Sequence, residues 1–139
     1  MADVIVGYDD SECARRALDV AVDLARAYGD RGVVVYAYAP PPWNVGDEYA
    51  EHRRALREIG ERVTAEALAR AAEHGVQVEA ELIPEKPAEA LLQRAAAADV
   101  RVIVVGTHGE GPIAGALLGS VPHKLLHRSS VPVLVVPAR

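Results

Sequence analysis

Val102-Ile103-Val104-Val105-Gly106-Thr107-His108-Gly109, followed after nine residues by Gly119-Ser120 and closed by Val131-Pro132-Val133-Leu134-Val135-Val136, is the stretch whose reading decides the fold. Four apolar β-branched residues in a row are what a strand covered on both faces requires. That strand empties into glycines, a short helix is expected to start at Ser120, and a second apolar strand follows. A strand that ends in glycine and hands over to a helix beginning with Ser is an arrangement that binds phosphate. Backbone N–H groups and the positive end of the helix converge there on one spot, so a nucleotide is expected at this place.

Upstream, Val4-Ile5-Val6-Gly7 is another short apolar run, and Asp9, Asp10 and Ser11 behind it are helix-capping side chains. Ala17, Leu18, Ala21, Leu24, Ala25 and Tyr28 then recur at helical spacing up to a stop at Gly29. Val33 to Ala39 reads as a second strand, ended by Pro40-Pro41-Pro42. A long helix is expected from about Asp47 to Glu73, with Leu56, Ile59, Val63 and Ala67 on its apolar side and Gly75 as its end. Val76 to Ile83 alternates apolar residues with Gln77, Glu79 and Glu81, the pattern of a strand toward a sheet edge with one wet face. Pro84 breaks it, and Pro87 suits the first turn of a helix whose apolar face is Ala88, Leu91, Leu92, Ala95 and Ala96. Strand and helix alternate with no hairpin signal, which gives an α/β chain built on a parallel sheet with helices on both faces. The 139 residues suit a single domain spanning 1–139.

The Gly-x-x-Gly, nine-residue, Gly-Ser spacing, taken with Val4 to Asp9 and Val131 to Val136, resembles the nucleotide-binding signature of the universal stress protein family, in its ATP-binding branch. The resemblance covers essentially the whole chain. It implies a doubly wound five-stranded parallel sheet of order 3-2-1-4-5, whose winding reverses between the first and fourth strands, the crevice where such sheets bind ligands. It also implies ATP as the ligand, with Mg or Mn bound through the phosphates. The phosphates would lie against Gly106, Thr107, Gly109, Gly119, Ser120 and Val121. Pro122 has no N–H, which leaves Ser120, Val121 and His123 as backbone donors. Asp9 matches the family's Asp near the nucleotide, although as a residue it reads equally as a helix cap or as a carboxylate for ribose or a metal. Ala39 corresponds to the position that contacts the base, where the family commonly has Val. Ser130 reads either as a phosphate contact or as a turn residue.

Other classes find little support. The formal charge of −5 is spread over residues of both signs, with no basic block, so nucleic acid is not an expected partner. Cys13 is the single cysteine, which leaves no intrachain disulfide or cysteine-based zinc site and fits a reducing compartment. No apolar run is long enough to span a bilayer and no basic, apolar leader pattern opens the chain, so a cytoplasmic location without membrane partners is expected. No Gly-Lys-Ser or Gly-Lys-Thr follows the glycines, so the phosphate lysine of fast hydrolysis is missing. His123 and His127, four residues apart, lack the intervening carboxylate of a metalloprotease, and no metal ligands or catalytic residues are assigned.

The functional expectation is an ATP-binding stress-response regulator whose nucleotide occupancy is the signal, with slow or no hydrolysis. The alternatives are a nucleotidyl- or phosphoryl-transfer enzyme using the same crevice, or a nucleotide-free scaffold, besides an unknown downstream protein partner. Val131 to Val136 is expected at an open sheet edge, where it would pair with a second copy in a homodimer unless the loop around Gly111 shields it.

Overall fold

A computed structural model describes residues 1–41, 43, 45–108 and 118–138. The elements alternate as β1 (Asp3–Gly7), α1 (Glu12–Tyr28), β2 (Arg31–Ala37), α2 (Gly46–Ala72), β3 (Val78–Ile83), α3 (Pro87–Ala96), β4 (Val100–Gly106), α4 (Ser120–Arg128) and β5 (Val133–Val136). All the strands pair in parallel, in the order β3-β2-β1-β4-β5, as the resemblance implied. Val4, Val6, Val34 and Val104 pack with Ala17 and Leu18 of α1 and Ala67 and Ala71 of α2. Ile5, Val33, Val35, Ile103 and Val105 form the second layer, with Ala90 and Leu91 of α3 and Leu125 of α4. The three inner strands are therefore apolar on both faces and read as continuous runs.

The outer strands differ as expected. β3 lies at one edge with Glu79 exposed, and β5 lies at the other, pairing Val133 to Val136 with Ile103 to Gly106 and leaving Leu134 exposed. Helix α1 is capped by Ser11, whose Oγ accepts the Ala14 N–H at 3.2 Å, and ends at Gly29 in the left-handed region.

Three details depart from the sequence reading. β2 ends at Ala37, two residues short of Ala39. The buried stripe of α2 is Gly60, Thr64, Ala67 and Ala71, while Ile59 is exposed. The reason is close approach: a Cβ on Gly60 would stand 2.6 Å from the Tyr36 ring, so small residues and not the largest apolar ones face the sheet. Tyr28 is exposed rather than packed on the sheet, its ring lying under the Arg101 guanidinium at 4.2 Å from the centroid.

At the amino ends of the strands the apolar layer gives way to ion pairs. The Asp3 carboxylate, almost wholly buried, takes Arg31 at 3.1 Å and Arg94 at 2.6 Å, and Arg94 reaches on to Glu81 at 2.8 Å. Burial alone would push the Asp3 carboxyl up, but the hydrogen bonds from Arg31 and Arg94 outweigh it and hold the group below the ordinary carboxylate value. The Nη1 of Arg94 is buried with no hydrogen-bond partner, so this cation has none to spare.

Candidate functional site

At the opposite, carboxyl end of the sheet, β1, β2 and β4 and the first turns of α1, α3 and α4 enclose a cavity of about 370 Å³. It lies where the winding reverses, and its size suits a small organic ligand. Gly7, Tyr8 and Asp9 enter from β1, Val35, Tyr36 and Ala37 from β2, Leu91 from α3, and Val105, Gly106 and His108 from the end of β4. Gly119, Ser120, Val121 and Pro122 close it from α4. One side is thus aliphatic and the other is backbone.

Three helices start at this cavity, and they offer different things. Helix α1 already spends its Ser11 hydroxyl on its own Ala14 N–H, and α3 begins with Pro87, which has no N–H to offer. Helix α4 begins at Gly119 with no side-chain cap and no acidic residue in its first turn. The Gly119 N–H is committed to the Thr107 carbonyl at 2.7 Å, and the His123 N–H is turned inward to the Gly119 carbonyl at 3.3 Å. That removes His123 from the expected donors. The Ser120 and Val121 N–H groups and the Ser120 hydroxyl remain at the mouth of the helix, beside the positive end of its dipole. Among the described lining residues there is no Lys or Arg, so an anion here would be met by backbone and helix dipole.

The two loop residues behind this helix start act as supports. Gly106 lines the cavity, but a Cβ there would stand 2.4 Å from Cys13 Cβ, so glycine is required for α1 to lie against the end of β4. Thr107 does not line the cavity. Its N–H binds the Val136 carbonyl at 3.0 Å, its carbonyl holds Gly119, and its Oγ1 lies 3.5 Å from Cys13 Sγ, which ties β4, β5, α4 and α1 together. Gly109 lies outside the described residues.

Asp9 is the one carboxylate among the described lining residues. Its Oδ1 accepts the Ser11 N–H at 3.1 Å, and its charge together with burial raises the Tyr36 phenol above its ordinary value, burial being the larger cause. The cap of α1 is Ser11, not Asp9, whose carboxylate instead closes the turn before the helix while standing in the cavity wall. Ala39 is exposed and stands outside the lining, whereas Ala37, at the true end of β2, is in it. Ser130 needs correction. It precedes β5, whose first residue, Val133, pairs with Ile103 and so already stands roughly 10 Å below Gly106, which puts Ser130 at the other end of a parallel sheet from the cavity. Ser129 makes the local turn there, its Oγ bonded to the Val131 backbone. Tyr36, Leu91 and Pro87 were missed by the sequence reading, since only the crossovers bring them to the cavity.

The chain belongs to the universal stress protein family, whose model matches residues 1–137. A universal stress protein of Thermus aquaticus is 40% identical over 135 residues, covering 96% of each chain. A universal stress protein solved in complex with cAMP is 30% identical, with a TM-score of 0.73 over 99% of this chain and 98% of that one. The fold is also that of a universal stress protein from Archaeoglobus fulgidus, at 22% identity and a TM-score of 0.77 over 98% of both chains.

Proposed function

We propose that this universal stress protein is a stress-response regulator that holds an adenine nucleotide, ATP or AMP, in the cavity between β1 and β4, and that occupancy rather than turnover is its output. The observation that carries the reading is the start of α4, where the Ser120 and Val121 N–H groups and the Ser120 hydroxyl face the cavity without a side-chain cap. The similar protein solved with cAMP supports an adenine nucleotide as the class of ligand. The phosphate belongs at α4, the ribose beside Asp9, and the base against Val35, Ala37 and Leu91. Among the described residues no group of three His, Cys, Asp or Glu side chains gathers to hold a cation, so Mg or Mn would be carried by the phosphates of ATP. Also among the described residues, no helix is long and apolar enough to cross a membrane.

Slow hydrolysis follows from the lining, which holds among its described residues no cation to meet the charge developing on a transferred phosphoryl group. ATP turnover by purified protein is expected to stay below about one per second. Faster turnover that disappears in Asp9→Asn or His108→Ala protein would establish an enzyme instead.

The same reading includes a homodimer through β5. Among the described residues its outer edge is unpaired, Leu134 is exposed, and Pro132 and Pro137 bound the stretch able to pair, so an antiparallel match of two Val133 to Val136 segments would close on itself. Sedimentation equilibrium is expected to give a dimer at micromolar concentration and a folded monomer for Val135→Pro. A wild-type monomer, or a Val135→Pro dimer, would contradict this interface.

A further inference from the structure

The turn that carries Asp9 into the cavity contains the one non-glycine residue with positive φ among the described residues, Asp10 at +63°. Side chains other than glycine, asparagine and aspartate resist this left-handed conformation, and even aspartate adopts it at some cost unless something holds it. Here something does. The Arg15 Nη1 donates both to the Asp10 carbonyl and, at 3.0 Å, to its Oδ1. The buried Tyr8 hydroxyl donates to the same Oδ1 at 3.3 Å, and the Tyr8 phenol is pushed up to about 12 by burial, with the Asp10 charge and this hydrogen bond adding to it. Arg15 projects from the end of the first turn of α1 and is not part of the cavity wall.

We propose that Arg15 is a positioning residue for the nucleotide: with Tyr8 it clamps Asp10 in the left-handed conformation, and that conformation aims the Asp9 carboxylate into the cavity. The proposal rests on the nucleotide reading above. Its physical content is that the backbone at Asp10, not the Asp10 carboxylate, matters to the ligand. Without the clamp the turn relaxes toward negative φ, the peptide linking Asp9 to Ser11 rotates, and the carboxylate leaves the place where it meets a ribose hydroxyl.

Alanine and glycine at position 10 separate conformation from charge, since both delete the carboxylate but only glycine accepts positive φ without penalty. By calorimetric titration with AMP, well below each protein's melting temperature, Asp10→Gly is expected to bind within about twofold of wild type. Asp10→Ala and Arg15→Ala should each bind about tenfold more weakly, or 1.4 kcal/mol. Adding Asp10→Gly to Arg15→Ala should restore most of the loss. In an Asp9→Asn background Arg15→Ala should cost nothing further, because the group it aims is gone. Equal effects of alanine and glycine at position 10, an unchanged affinity in folded Arg15→Ala protein, or a full extra loss in the Asp9→Asn background would each overturn the clamp while leaving the nucleotide site standing. A folded wild-type protein that binds no AMP would overturn both.

Discussion

Ser120→Pro is expected to weaken adenine nucleotide binding by about a hundredfold while leaving the melting temperature essentially unchanged. Proline is welcome at the first position of a helix, where its fixed φ already fits and the missing N–H has no intrahelical partner. The preceding Gly119 stands at φ −70°, ψ 174°, an extended conformation that a following proline favours. The substitution therefore keeps α4 and the Gly119 to Thr107 hydrogen bond but deletes both the N–H and the hydroxyl that Ser120 presents to the cavity. Ser120→Ala removes the hydroxyl alone and should lose only about tenfold, the worth of one hydrogen bond to a charged group. Comparing the two by titration calorimetry isolates the backbone donor. Wild-type affinity in folded Ser120→Pro protein would move the phosphate away from α4.

The second large effect concerns stability rather than binding. Asp3→Ala is expected to destabilise the protein by about 3 kcal/mol, read from urea unfolding at neutral pH, because it leaves the Arg94 side chain, only 9% exposed, with one partner fewer. Arg94 already has an unsatisfied Nη1, and the exposed half of its pairing, with Glu81, cannot replace a carboxylate lying 2.6 Å away inside the sheet. A second change, Arg94→Met in the Asp3→Ala protein, should recover part of the loss, since removing both partners also removes the uncompensated charge. The pH dependence has a definite sign. The folded carboxyl titrates below its unfolded value, so its contribution is complete above about pH 4 and is lost as the pH falls through the lower, folded value. The acid-side slope of stability should be shallower in Asp3→Ala than in wild type. An unchanged slope would mean that Asp3 is not the group being titrated.

The strands were legible in the sequence because burial on two faces leaves a mark in the letters, the uninterrupted Val and Ile of β1, β2 and β4, and exposure on one face leaves another, the alternation of β3 with Glu79 and Glu81. The packing of α2 was not, since Gly60 gives no sign in isolation that Tyr36 and Leu82 will press against it. The end of β2 was misplaced by two residues because Tyr38 and Ala39 are as apolar as the strand before them, and that displacement put Ala39 where Ala37 belongs in the cavity wall. Ser130 fell to a different cause. Its letters fit a phosphate contact, but in a parallel sheet the residues before a strand and those after it lie at opposite ends. The Asp3 to Arg94 pair joins residues 91 apart in sequence, and no local pattern announces such a contact.

The proposed function stands on an adenine nucleotide in the cavity at the carboxyl end of β1 and β4. The most direct measurement is to denature the freshly purified protein with acid and identify what it releases by chromatography, then to titrate the stripped and refolded protein with AMP and ATP. An adenine nucleotide is expected in the extract, with one calorimetric site per chain that is shared by the two ligands and lost in Ser120→Pro. An extract without nucleotide, together with no heat of binding for either ligand to folded protein, would contradict it.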